Sequence, residues 1–73
     1  MTRSVGTKEY AYFVERLRKA HEEAGLTQVE VAKKLRRPQS HISNVESGQQ
    51  RVDVVELQIF ARIYKKDIKY FVK

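Results

Sequence analysis

The sequence contains no cysteine and no tryptophan, and its 73 residues include only one proline and three glycines. Without cysteine the chain has neither a disulfide framework nor a thiolate metal site. The two histidines, His21 and His41, lie too far apart in sequence to resemble a zinc-binding pair. There is no phosphate-cradling glycine loop, no pair of carboxylates and no nucleophile with a base. The sequence therefore predicts no metal and no other cofactor, and it predicts that the chain is not an enzyme.

Long apolar runs are also absent. No stretch approaches the roughly 20 residues that a transmembrane helix needs, and the first residues, MTRSVGTKE, lack the apolar core of a signal peptide. We therefore expect no membrane partner and a cytoplasmic location. The length indicates one small domain over residues 7–73, preceded by a flexible arm over residues 1–6. So small a core is marginally stable, and dimerisation would help it.

Basic residues exceed acidic ones. Lysine and arginine number 15 against 9 aspartates and glutamates, which gives a net charge of +6. A basic surplus on a short chain favours a polyanionic partner. Many soluble domains are basic, however, so the charge alone raises the expectation of nucleic-acid binding only modestly.

The most informative stretch, residues 27–48, reads TQVEVAKKLRRPQSHISNVESG and contains two short helical patterns. Thr27 and Glu30 form a Thr-x-x-Glu capping box, which begins the first helix. The residue before a proline disfavours the helical conformation, so this helix should end near Leu35. Pro38 suits the first turn of a second helix, which we predict over residues 38–47.

Neither of these helices has enough apolar surface to be stable alone. Ile42 and Val45 lie on one face of the second helix, so the two helices should share a core and form a helix-turn-helix over residues 28–47. The opposite face of the second helix then stays free. Its short polar side chains can hydrogen-bond base edges in a major groove: Gln39, Ser40, Ser43 and Asn44.

Helical patterns also flank this stretch. One runs from Thr7 or Lys8 to Ala24, and a fourth helix begins after Asp53, with Glu56 expected to complete a second capping box. A last short helix is predicted over residues 68–72. The chain has more apolar side chains than one core of this size can bury. An exposed apolar cluster usually marks a partner surface. The candidate dimer interface comprises Tyr10, Ile59, Ile63 and Tyr70.

The run from about Val14 to Phe71 resembles the Cro/CI-type helix-turn-helix family, the Xre-like transcriptional regulators of bacteria and phages. The segments that carry the resemblance are LRKAHEEAGLTQVEVAKKL, PQSHISNVESG and VVELQIFARIYKKDIKYF. It covers about four fifths of the chain. The resemblance implies an all-α fold, a compact five-helix phage-repressor-like DNA-binding domain.

The resemblance also implies roles for single residues. His21 stands where the family has an arginine that pairs with the glutamate near the end of the recognition helix, here Glu46. We expect His21 and Glu46 to form one hydrogen bond. Arg36 and Arg37 replace the glycine and the apolar residue that the family usually has in the turn. Expected phosphate contacts are Thr27, Gln28, Arg37, His41, Gln49 and Arg51.

Together these observations predict sequence-specific binding of double-stranded DNA by a homodimeric transcriptional regulator, which we expect to be a repressor. The second helix would lie in the major groove, and the dimer would bind an inverted-repeat operator. An alternative stays open: an antitoxin or another protein-interaction module, with a protein partner, can use the same fold.

Overall fold

The computed structural model describes residues 7–72 and consists of four α-helices followed by one 3-10 turn. The elements are α1 (Lys8–Ala24), α2 (Gln28–Leu35), α3 (Gln39–Glu46), α4 (Val54–Tyr64) and the 3-10 turn Ile68–Tyr70. No strand occurs within residues 7–72. The all-α class is therefore confirmed, whereas the predicted flexible arm, residues 1–6, lies outside the described residues.

The predicted fifth helix, residues 68–72, is wrong, because this segment contains only the 3-10 turn Ile68–Tyr70. Asp67 caps this turn by accepting a hydrogen bond from the Lys69 N–H at 2.9 Å. Phe71, directly after the turn, is fully buried and lies edge-on to Phe13. A segment of five residues is too short to form a stable α-helix by itself.

Local capping signals set the bounds of α1 and α2. Thr7 caps α1 through the Tyr10 N–H at 3.1 Å, and Gly25 ends it in the left-handed conformation with φ +70°. In α2 the predicted capping box of Thr27 and Glu30 is present in both directions. These bounds agree with the sequence-based prediction because caps act within one turn of the chain.

The α3 helix is one residue shorter at each end than the predicted range 38–47. Pro38 is the N-cap rather than the first helical residue, with an extended ψ of 153°, and it provides no side-chain cap. Ser47 is the C-cap, and Gly48 follows in the left-handed conformation with φ +83°. An α-helix of eight residues with no side-chain cap depends on tertiary contacts for its stability.

The core lies where the four helices meet. Its fully buried large side chains come from every helix and from the C-terminal turn: Leu17, Val31, Ile42, Val45, Phe60 and Phe71. Ala24, in the last turn of α1, is exposed, and Leu57 is half-buried. No helix within residues 7–72 is both long enough and apolar enough to span a membrane.

The start of α4 corrects a second detail. Asp53 accepts a hydrogen bond from the Glu56 N–H at 2.8 Å, as the cap predicts. The Glu56 carboxylate does not return the contact, so the predicted second capping box is half formed. Glu56 is instead 8% exposed and points toward α3 and the turn before it.

Candidate functional site

The α3 helix divides into a buried face and an exposed polar face. Ile42, Val45 and Glu46 are buried, and the first two anchor the helix in the core. The four side chains predicted to read bases are all exposed: Gln39, Ser40, Ser43 and Asn44. This face consists of amide and hydroxyl groups, which can donate and accept hydrogen bonds without the cost of burying a charge.

A buried contact between a histidine and a glutamate holds the C-terminal end of α3. The structure brings His21 and Glu46 together, with His21 Nδ1 at 2.5 Å from Glu46 Oε2, and the two side chains are 13% and 9% exposed. His21 Nε2 lies 2.6 Å from the Leu26 carbonyl oxygen. His21 thus makes two polar contacts at once, one with α3 and one with the loop after α1.

An amide chain connects this buried pair to the exposed face. Gln28 Nε2 donates to Glu46 Oε1 at 3.2 Å, and Gln28 Oε1 accepts from Gln39 Nε2 at 3.3 Å. The side chain of Gln39, the first residue of α3, is therefore oriented by contacts that begin at a buried carboxylate. The side-chain carbonyl oxygen of Gln39 is left available to a ligand. The amide nitrogen and the amide oxygen of Gln28 thus both have partners inside the protein. The phosphate contact expected of Gln28 remains a prediction.

Two further side chains complete the surroundings of Glu46. Arg18 Nη1 donates to the Glu46 carbonyl oxygen at 3.1 Å and so satisfies a free carbonyl at the end of α3. The Tyr64 ring stacks on His21 with a centroid distance of 5.8 Å. The Tyr64 hydroxyl is buried and has no hydrogen-bond partner among the described residues. Burial, with the Glu46 charge as a smaller cause, raises the pKa of Tyr64 above its usual range.

The N-terminal half of α3 is held by a second carboxylate. His41 Nε2 lies 2.9 Å from Glu56 Oε1, and Arg37 Nε lies 3.4 Å from Glu56 Oε2. The prediction that His41 contacts phosphate is corrected: its side chain is only 10% exposed and turns toward α4. The buried Glu56 carboxylate needs donors, and His41 supplies one of them.

The remaining residues predicted to contact phosphate lie on the surface. Thr27, Gln49 and Arg51 are exposed, and the Thr27 side chain is already used in the cap of α2. The Arg51 guanidinium lies over the Tyr10 ring, with Cζ 4.5 Å from the centroid. That stacking leaves the N–H groups at the edge of the guanidinium plane available to an oxyanion.

One of the candidate dimer residues, Tyr10, is buried within its own chain, which corrects its place in the predicted interface. It is 7% exposed, and its hydroxyl donates to the Gln50 carbonyl and accepts from the Val52 N–H. Its surface is thus used within the chain. Tyr70 is half-buried and contacts the guanidinium of Arg16, which lies 3.9 Å from its ring centroid and donates to its carbonyl.

The other two dimer candidates lie on the outer side of α4. Ile59 and Ile63 are partly buried against the core, and Val55 is 62% exposed. These three residues follow one another at four-residue spacing and so share one face of the helix. We call them the α4 stripe.

Sequence reasoning missed two residues of this site, Glu56 and Arg18. Glu56 precedes the buried Phe60 by four residues, so the helical repeat places it on the buried face of α4. An acidic residue on such a face needs a partner, and this was an available signal. Arg18 gave no such signal, because its acceptor is a backbone carbonyl 28 residues away. Within residues 7–72 no cluster of side chains is suited to hold a metal ion.

Comparison with protein families agrees with this geometry. A family model described as a helix-turn-helix domain matches residues 13–67, well over half of the chain. The matched range includes α2, α3, α4 and most of α1. No curated protein matches the chain.

Proposed function

Because the chain belongs to the helix-turn-helix domain family, we propose that it binds specific sequences of double-stranded DNA and regulates transcription. In this proposal α3 is the recognition helix and lies in the major groove. We propose that the regulator is a dimer and acts as a repressor, bound to an inverted-repeat operator.

The observation that carries the proposal is the exposed polar face of α3 together with the way its first residue is held. The contact between Gln39 and Gln28 joins the N-terminal ends of α3 and α2. A glutamine oriented in this way is suited to bidentate contact with adenine N6 and N7. The hydrogen bond to Gln28 favours one orientation of this side chain, which reduces the rotamer entropy lost on the DNA.

The surroundings of α3 favour a phosphate backbone on either side. The first turn of α2 presents free N–H groups beside the exposed Thr27 hydroxyl. Arg37 lies before α3, and Gln49 and Arg51 follow it. Such contacts position the protein, whereas contacts from α3 would read the sequence. The net charge of +6 adds attraction of longer range.

A dimer is proposed because one short recognition helix reads only a few base pairs. Two half-sites about 34–36 Å apart, one helical turn of DNA, provide both specificity and contact area. The α4 stripe is the proposed contact between subunits, and Tyr70 stays in the candidate set. The stripe also keeps the second candidate function open, since it can equally bind a different protein.

The first experiment is selection from a random duplex library at near-physiological salt, with the bound species weighed by light scattering. An enriched inverted repeat bound by two chains is the expected result. Salt-sensitive binding without an enriched motif would contradict specific recognition. Co-purification with one defined protein would then favour the interaction module.

Gln39→Ala tests base reading directly. We expect it to weaken binding to the enriched duplex by about 1–3 kcal/mol and to relax the preference at one base position. The matched control is Gln58→Ala, which removes the same amide from an exposed position on α4. Binding competition with single-base variants of the duplex measures both effects. Equal losses by Gln39→Ala on every sequence would contradict a base-reading role.

A further inference from the structure

We propose that Glu56 is a positioning residue for duplex recognition. Its buried carboxylate holds the N-terminal half of α3 through His41, and it orients the guanidinium of Arg37 beside that helix. The inference rests on the proposed function and deepens it, because it assigns to α4 a part in how α3 meets the DNA.

The geometry joins three elements at one carboxylate. Oε1 faces His41 Nε2 at 2.9 Å on α3, and Oε2 faces Arg37 Nε at 3.4 Å in the turn between α2 and α3. The Glu56 side chain is 10% exposed, as is that of His41. The Glu56 backbone is itself fixed by the Asp53 cap, at 2.8 Å. The carboxylate is therefore a fixed point to which the turn and α3 are attached.

Besides Glu56, the only polar side-chain anchor of this end of α3 among residues 7–72 is the exposed amide contact between Gln39 and Gln28. Pro38 makes no side-chain cap, whereas the C-terminal end of α3 has the pair of Glu46 with His21. Ile42 and Val45 hold the helix at its depth in the core. Apolar contacts resist rotation of a short helix only weakly because they are not directional. The hydrogen-bonded His41 therefore limits the tilt of the half of α3 that carries Gln39 and Ser40.

Arg37 extends the same arrangement to the surface. Its side chain is 55% exposed although Nε faces the buried carboxylate. Its two terminal nitrogens have no partner among residues 7–72 and are available to a phosphate oxygen. An arginine held at one nitrogen loses less side-chain entropy when it binds the backbone of the duplex.

The direction in which one substitution changes the affinity for DNA distinguishes a positioning role from a purely electrostatic one. Glu56→Gln removes a negative charge, so electrostatics alone predicts tighter binding to DNA. The positioning role predicts weaker binding, because the amide nitrogen of glutamine must face either the His41 or the Arg37 donor and one contact is lost. Glu15→Gln is the matched control, since it removes the same charge from an exposed position of α1.

The test uses the full chain, the duplex enriched by the wild type and a scrambled duplex of equal length. We expect Glu56→Gln to bind the enriched duplex about fivefold or more weakly, equivalent to about 1 kcal/mol. Its preference over the scrambled duplex should fall as well, while Glu15→Gln binds as tightly as the wild type or more so. Thermal unfolding shows that each variant is folded at the assay temperature.

A second variant keeps the inference testable if Glu56→Gln does not fold. Arg37→Ala should reduce the slope of log affinity against log salt by about 1. An unchanged slope, or binding by Glu56→Gln that matches Glu15→Gln, would overturn this inference while the proposed function stands. A wild-type protein that enriches no duplex would overturn both.

Discussion

Single residues of this protein occupy positions that another residue type would fill with less strain. Arg36 ends α2 with φ +63°, and Lys65 ends α4 with φ +57°. The left-handed conformation crowds the Cβ atom of any residue except glycine, at a cost of about 1–2 kcal/mol. The turn between α2 and α3 is nevertheless closed by hydrogen bonds, since the Arg36 and Arg37 N–H groups donate to carbonyls of α2. Arg36 thus carries strain within a hydrogen-bonded turn.

Arg36→Gly should therefore stabilise the fold by about 0.5–1 kcal/mol. The relieved strain exceeds the extra conformational freedom that glycine gives the unfolded chain. Denaturant unfolding followed by circular dichroism measures the change. As a control, Lys19→Gly in the middle of α1 should destabilise by about 1 kcal/mol. Destabilisation by both substitutions would contradict the strain at Arg36.

Among the helical elements, α3 depends most on its neighbours. It has eight residues, no side-chain cap at its start and buried ion pairs near both ends. The pair at its end joins Glu46 to α1, and the pair near its start joins His41 to α4. Both pairs cost desolvation, so their value lies in orientation more than in stability. The orientation of a recognition helix is what a DNA-binding protein must preserve.

His21→Ala should destabilise the domain by about 3 kcal/mol, because it leaves the buried Glu46 carboxylate with Gln28 as its remaining side-chain donor. His21→Arg should restore stability, since a guanidinium can bind the carboxylate in a bidentate manner. Both are measured as free energies of unfolding in urea. Glu22→Ala, at an exposed neighbouring position, should change stability by less than about 0.5 kcal/mol. A similarly small change for His21→Ala would show that the pair is not needed.

At the scale of the whole molecule, the polar face of α3 and the α4 stripe set the proposed behaviour. The exposed part of the stripe, Val55, would remain in water in an isolated domain. A small domain gains stability by covering such surface with a second subunit.

Val55→Asp should shift the mass measured by light scattering from two chains toward one and should abolish cooperative binding to an inverted repeat. The reason is that an uncompensated charge in an apolar contact must be desolvated. For the measured mass, Val29→Asp is the matched control, since Val29 is exposed at 45% on α2, outside the stripe. A dimer that survives Val55→Asp would place the interface elsewhere.

The sequence by itself determined the bounds of α1 and α2, the all-α class and the family. Caps and breakers such as Thr27, Gly25 and Gly48 act on neighbours within about one helical turn, so their effects are readable from short stretches. The resemblance to known regulators also supplied the partners His21 and Glu46. Where local signals were weak, as after Asp67, the structure has a 3-10 turn in place of the predicted helix.

Only the tertiary structure decided where side chains with distant partners point. Glu56 had a local use as a capping residue but bonds to His41, 15 residues away, and Tyr10 bonds to the Val52 N–H, 42 residues away. Both choices follow from burial: a polar group that enters the core must find a donor or acceptor there. The spacing of residues along one helix does not reveal which partner the next helix brings. That information arises only when the helices pack.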